Sequence, residues 1–403
     1  MSIKFLFAFS ALIFFSSSAS AKPYRMVLSD TQTDKNIAEF DLDRADLKNG
    51  SNENWSVRKT TLHGGRQEGV EIIEVDNGKL KFTVIPTRGM SIYQVAAEDV
   101  TLGWQSPVKE LVNPAYINLE RFGGLGWLDG FNEMMVRCGY QWAGHPGEDG
   151  EHMLTLHGLA GNLPASQVEI VIDDQPPYRI RVRGRIEEKT FKFADFQMWA
   201  EISTVPGSRS FQINDKLTNR GDYDREFQLI YHSNFGPPLL EKNAKFVGPL
   251  KRLTPFDDLA AKDISRWSTY LEPTKNYGER VYNLVPYANS AGQTKVMLHN
   301  ANADRGVAIA YSIEQLPYFA LWKNTDTLNE GYVTGLEPAT SFPYNRSIER
   351  QHGRVPTLKA QASREFQLEY TILLDRRQVR SVADEIESIQ VDRPTIFDKQ
   401  PHK

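Results

Sequence analysis

The 403-residue chain contains a single cysteine, Cys138, so no intramolecular disulfide can form and the fold must be held by its own core. After residues 5–15 it has no long hydrophobic run, so no transmembrane helix is expected beyond that point. It lacks an excess of charge of either sign. Forty-seven Lys and Arg against 51 Asp and Glu give a net −4, which excludes a strong general attraction to nucleic acid. Long Gly/Ser or Pro linkers, low-complexity tracts and internal repeats are also missing, which favours one large domain over two. Helical periodicity is scarce. Only Val379, Val382, Ile386 and Ile389 are spaced for an amphipathic helix, late in the chain.

The N-terminus reads as a secretory signal over residues 1–21. Lys4 supplies the positive start, residues 5–15 the apolar stretch, and Ala19-Ser20-Ala21 a small-residue cleavage site. The apolar stretch is short for an uncleaved membrane anchor. No Cys follows the cleavage site, so a lipoprotein is excluded. The expected mature chain starts at Lys22, is periplasmic or secreted, and has no membrane attachment.

What the sequence has in quantity is strand grammar. Residues 70–75 and 79–85 flank Asp76-Asn77-Gly78, a hairpin signature. Residues 168–172, 178–183, 196–204, 211–214, 307–311 and 366–372 repeat the period-2 pattern. Such alternation predicts antiparallel sheets with one packed face. The expected layout is a lead-in segment over 22–60, an all-β sandwich over 61–378, and a C-terminal helix and tail over 379–403. Residues 118–165, rich in Gly, Trp and His, are expected to be long loops at the mouth of a site.

Three segments carry candidate chemistry. They are Leu156-His157-Gly158 through Asn162-Leu163-Pro164, Tyr231-His232-Ser233-Asn234-Phe235-Gly236, and Gly335-Leu336-Glu337-Pro338. Proline after Glu337 favours extended backbone. The apolar neighbours of Glu337 predict burial, which raises a carboxyl pKa toward the working range of a general base. By default a histidine among apolar residues is a satisfied core residue. Two histidines and a carboxylate together supply the parts for acid-base catalysis.

These segments, with Pro86-Thr87-Arg88-Gly89-Met90 and Trp322-Lys323, resemble the aldose 1-epimerase, or galactose mutarotase-like, superfamily, and within it the DUF4432 branch. The resemblance covers roughly residues 70–374. It implies a β-supersandwich with the site on a concave sheet face, a sugar as small-molecule substrate, and no cofactor or metal. It implies Glu337 as base and His232 as acid. His157 and Arg88 would bind the sugar, with Asn162, Asn234, Arg121, Trp322 and Lys323 as further substrate-binding candidates and Asp326 as a weaker one. Two departures stand out. Tyr231-His232 replaces the Asn-His pair usual before the acid, and residues 122–142 differ from a typical mutarotase.

Other readings stay open at this stage. The chain could bind carbohydrate without catalysis, or act as an isomerase, lyase or hydrolase on a modified sugar. His145 and His152, flanking an acidic loop, could assist with a metal, although their spacing matches no strong metal motif. Trp127, Tyr140 and Trp142 could stack on a sugar but are by default packing residues. Cys138 reads as a small buried residue. Gly123-Gly124-Leu125-Gly126 lacks the strand and helix context of a nucleotide-binding loop.

Overall fold

A computed structural model describes residues 22–47 and 50–401. The expected signal segment lies outside the described residues.

Two large sheets, of ten and thirteen strands, face each other across one core. The period-2 segments supply the ten-stranded sheet. Gln167–Ile172, Ile180–Lys189, Asp195–Thr204, Ser210–Asn219, Ser363–Leu373 and Gly306–Ser312 lie side by side, each antiparallel to the next. Val182, Met198, Ile213 and Leu368 are buried from it, while alternate residues such as Arg181 and Arg183 form ion pairs on its outer face. The all-β architecture is therefore as the sequence pattern predicts.

The expected hairpin forms from Glu71–Asp76 and Lys81–Ile85. Asn77 builds its turn, with Oδ1 accepting from the N–H groups of Lys79 at 3.0 Å and Leu80 at 2.7 Å. The late helix runs over Arg376–Gln390 and is capped by Asp375. Its Val379, Val382 and Ile386 pack against Met297, Ala308 and Leu373 of the ten-stranded sheet. Among the described residues, no helix is long and apolar enough to cross a membrane.

Two local expectations change. Residues 22–60 are woven into both sheets, not appended to them. Tyr24–Asp30 pairs with Gln167–Ile172, and Phe40–Asp43 and Ser56–Thr61 extend the thirteen-stranded sheet. The presumed loop region 118–165 contains Met135–Tyr140, a strand near the centre of that sheet. Every residue of this strand is buried, so it shows no polar alternation to read.

The centre of the thirteen-stranded sheet runs Arg280–Pro286, Tyr318–Asn324, Val333–Ala339, Gln228–Phe235, Met135–Tyr140. Alternation gives these strands two distinct faces. The inner face meets the ten-stranded sheet and includes a buried polar tie. Arg137 donates to Asp215 at 2.6 and 3.0 Å, and the Tyr231 hydroxyl donates to the same carboxylate at 2.8 Å. Ser233 Oγ lies 2.7 Å from the Tyr370 hydroxyl. The opposite face carries Val136, Cys138, Ile230 and Ala339 in a separate apolar cluster beneath Trp127 and Phe131.

Candidate active site

His232 and Glu337 meet on this second face. In the antiparallel pairing of Gln228–Phe235 with Val333–Ala339, Ile230 opposes Ala339 and Ser233 opposes Leu336. That register sets His232 directly across from Glu337. Directly opposed residues point to the same side, with Cβ atoms about 5 Å apart. His232 Nε2 is 3.2 Å from Glu337 Oε1. The contact is not aligned as a hydrogen bond, so Oε1 has no hydrogen-bond partner in the protein. The carboxyl lies over Gly335, two residues earlier on the same face. A Cβ at Gly335 would come within 2.4 Å of Glu337 Oε1 and 3.2 Å of Trp322 Cε3.

Aromatic rings enclose the pair. The His232 ring centroid is 5.5 Å from Phe131, 5.7 Å from Trp322, 6.0 Å from Trp127 and 5.3 Å from His157. Trp127 and Phe131 come from the turn around Gly126–Gly130, in the expected mouth region. His157 comes from the loop after His152–Leu154 and adopts φ +61°. This is an uncommon conformation for a residue with a side chain, and such residues gather at functional sites. It is held from both sides, with its N–H donating to Gly144 O and its carbonyl accepting from Gly139 N–H, each at 2.9 Å.

The enclosed pair is buried and surrounded by unused polar atoms. Glu337 is 2% exposed, His232 5% and His157 8%. Trp127 Nε1, His157 Nδ1, His232 Nδ1 and Glu337 Oε1 are buried without hydrogen-bond partners. An unsatisfied buried polar atom costs about 1–3 kcal/mol, so such a cluster is unusual unless a polar ligand completes it. Burial pushes the Glu337 carboxyl well above its ordinary range, with a smaller push in the same direction from Glu279. Burial also lowers His232 to about 4. It drives His157 well below the usual histidine range, helped by His232 and His145. Both members of the facing pair are thus driven toward their uncharged forms, a carboxylic acid beside a neutral imidazole.

The other sequence candidates divide. Trp322, opposite Gly335, lines the chamber and donates from Nε1 to Glu279 at 3.1 Å. Asn234 shares the His232 face. Its amide nitrogen donates to Glu133 O at 3.0 Å and its Oδ1 is unpartnered. Asn162 ends the turn Ala160–Asn162, which adjoins the chamber because Gly161 lies against Val136 and Trp127. Both Asn162 amide atoms are buried and unpartnered.

Arg88, Lys323 and Arg121 are not brought to the pair. The Arg88 guanidinium is fully buried, bound to Glu133 at 2.6–2.7 Å and to Val112 O at 2.8 Å. Lys323 follows Trp322 and so points to the opposite face of the sheet. There its ammonium donates to the carbonyls of Arg266 at 2.7 Å and Thr269 at 2.8 Å, above the Tyr270 and Tyr282 rings. Arg121 is half exposed, pairing with Asp129 at 2.7 Å and covering Phe122. Asp326 caps its own turn, accepting from Thr327 N–H at 2.7 Å.

His145 and His152 diverge. His145 packs on Phe256 and its Nδ1 meets Pro343 O, while His152 meets Phe193. Among the described residues, no group of three or more His, Cys, Asp or Glu is arranged to hold a metal ion. Trp142 is tied to Thr155 O, and Tyr140 sits in the main core.

The family model for a domain of unknown function, DUF4432, matches residues 67–372 and so spans all of these strands and loops. The chain belongs to the DUF4432 family. A crystal structure from Klebsiella pneumoniae subsp. pneumoniae, of a protein provisionally described as an aldose 1-epimerase, is similar over nearly the whole length. The identity is 45%, the coverage 94% of this chain and 99% of that one, and the TM-score 0.93. A galactose mutarotase-like protein from Clostridium acetobutylicum shares the fold at 13% identity, with a TM-score of 0.52 over 78% of this chain and 98% of that one. No curated protein sequence matches the chain.

Within this DUF4432 member, several residues that shape the site escape sequence reading. Phe131 sits among Gly130 and Asn132 without any periodic pattern. Glu133 anchors Arg88, while its carbonyl accepts from Trp104 Nε1 at 3.2 Å and from Asn234. The Arg88–Glu133 pair thereby fixes the turn that presents Phe131. Glu279, in a polar Gly-Glu-Arg stretch, looks like an ordinary surface charge until Trp322 is seen bound to it.

Proposed function

We propose that this protein interconverts the anomers of a free sugar or sugar derivative, as an aldose 1-epimerase does, with His232 and Glu337 as the acid-base pair. The observation that carries the reading is the directly opposed, buried His232–Glu337 contact at 3.2 Å inside a ring of aromatic side chains. The provisional description of the Klebsiella relative as an aldose 1-epimerase agrees with it.

The chemistry needs one proton and two sites for it. One group removes the proton from the C1 hydroxyl while the other protonates the ring oxygen. The C1–ring oxygen bond breaks, a C1 carbonyl forms, and rotation about C1–C2 presents the other face. Reclosure reverses both transfers, so the pair ends as it began. Glu337 as base and His232 as acid is one distribution of that proton. The uncharged resting forms favoured by burial are the other, with Glu337 donating and His232 accepting. Because opening and closing exchange the roles, both distributions serve, and the pair rather than either residue is the catalytic unit. A positioned general acid or base contributes about 10²–10⁴-fold. Trp322, Trp127 and Phe131 supply ring faces for the apolar side of a pyranose, and the unpartnered atoms of His157, Asn162 and Asn234 supply hydroxyl partners.

Saturation-exchange NMR between anomers across a panel of sugars tests this. Wild type should accelerate exchange of at least one sugar, and Glu337→Gln should abolish the acceleration while still binding. Sugar binding by wild type without faster exchange would assign the protein to carbohydrate binding instead.

A further inference from the structure

Glu279 lies immediately before the strand Arg280–Pro286. In the pairing with Tyr318–Asn324, Val281 opposes Trp322 and Arg280 opposes Lys323. Alternation therefore sends Arg280 and Lys323 to one side and returns Glu279 to the side of Trp322 as its diagonal neighbour. The side chains follow suit. Glu279 Oε2 accepts from Trp322 Nε1 at 3.1 Å, while Arg280 turns back over Tyr277. Trp322 and the Glu337 carboxyl both lie beside Gly335, where a single added carbon would meet Trp322 Cε3 at 3.2 Å and Glu337 Oε1 at 2.4 Å.

We propose that Glu279 is a positioning residue of this site, anchoring the Trp322 indole against Glu337 and placing a fixed negative charge on the same face. The proposal rests on the acid-base reading above for its kinetic consequences, but not for its structural ones. Trp322 is half-buried, whereas the residues it covers are buried. An unanchored indole at that place would be free to change rotamer. The hydrogen bond to a carboxylate restricts it, and such charge-assisted bonds are the stronger kind.

The charge acts on Glu337 as well. The groups facing Glu337 are few. His232 is on the neighbouring strand, Cys138 on the next strand is buried and influenced by Glu337, and Glu279 is across Trp322. Lys323 and Arg280 belong to the other face and give no compensation. Burial is the main cause of the raised Glu337 carboxyl and Glu279 adds to it. Removing the Glu279 charge must therefore lower the pH at which Glu337 gives up its proton.

Two variants separate the roles. Glu279→Gln keeps a carbonyl oxygen for the indole N–H but removes the charge. It should move the alkaline limb of kcat/KM to lower pH, with the difference shrinking in 1 M salt. Glu279→Ala removes both functions. It should show the same limb shift and, in addition, a KM raised roughly 3–10-fold, the range expected for losing a partly exposed hydrogen bond. The carboxyl ¹³C titration of Glu337, assigned by difference with Glu337→Gln, reads the charge effect without any turnover. A Glu337 titration unchanged in Glu279→Gln would overturn the electrostatic half of the proposal. A wild-type KM in Glu279→Ala would overturn the anchoring half. If wild-type protein accelerates no sugar, the epimerase reading falls and the ¹³C titration alone decides the role of Glu279.

Discussion

Gly335→Ala should damage the site more than the fold. Gly335 is outside the left-handed backbone region, so an alanine there meets no backbone penalty. Its new methyl group would lie 2.4 Å from Glu337 Oε1, where ordinary contact begins at 3.4 Å. The carboxyl must therefore retreat by about 1 Å, because the methyl is also held close on its other side by Trp322 Cε3 at 3.2 Å. A misplacement of that size costs roughly 10²-fold in rate, or about 2.7 kcal/mol of barrier. The effect on stability is smaller. Replacing a strand glycine gains about 0.5–1 kcal/mol, and local overpacking costs about 1–3 kcal/mol. The net change should stay within about 2 kcal/mol. The assay is anomer exchange by NMR on the sugar that wild type turns over, alongside denaturant melts of both proteins. Wild-type exchange rates in Gly335→Ala would refute the placement of Glu337 as a reacting group. A loss as large as that of Glu337→Gln with an unaltered melt would support it fully.

The pH profile of kcat/KM should be a bell. Its acid limb lies near 4, where His232 gains a second proton for the pair, and its alkaline limb lies above the usual carboxyl range, where Glu337 loses the only one. A profile flat across pH 3–6 would contradict this. Stability carries a related signature. The folded His232 has a lowered pKa, so its contribution is present above the unfolded value of 6.5 and is lost as pH falls toward about 4, by roughly 3 kcal/mol. Glu337 works in the opposite sense, because its raised folded carboxyl keeps a proton that the unfolded one loses above about 4.5, so the two offset each other in wild type and His232→Gln should unmask a stability that falls as pH rises above about 4.5 in urea titrations. Arg88→Ala strands the buried Glu133 carboxylate and should cost about 3–5 kcal/mol, visible as a lowered melting temperature; a wild-type melt would return Arg88 to the list of ligand-binding candidates. Mass spectrometry of protein secreted from a bacterial host should find Lys22 at the N-terminus, and an intact Met1 would overturn the proposed export.

Much of the architecture was legible because half-buried antiparallel strands alternate visibly. The segments around 168–172, 196–204 and 366–372 each became strands of the ten-stranded sheet. The central strand Met135–Tyr140 was not legible, since burial on both faces erases alternation. The late helix was announced by its spacing, though its start at Arg376 was set by the Asp375 cap rather than by the first apolar residue. Among site residues, His157, His232 and Glu337 drew attention through polar side chains in apolar company. Arg88 and Lys323 are candidates through the family resemblance alone, and their guanidinium and ammonium groups are spent on Glu133 and on backbone carbonyls. Local sequence reports that a charge is buried but not which partner satisfies it.

With one cysteine, buried in the site-face cluster, the chain is held by its sheet-to-sheet core and by polar ties such as Arg137–Asp215. By itself the sequence determined the strand-rich class, the late helix and the suspicion attached to an apolar carboxylate before a proline. Those are properties of neighbours along the chain. Only the tertiary structure decided that Glu337 faces His232, that Trp322 on the same face is bound to Glu279, and that Lys323 looks the other way. Strand order and register fix these relations between distant segments, and a one-residue change of register would move each of these side chains to the opposite face.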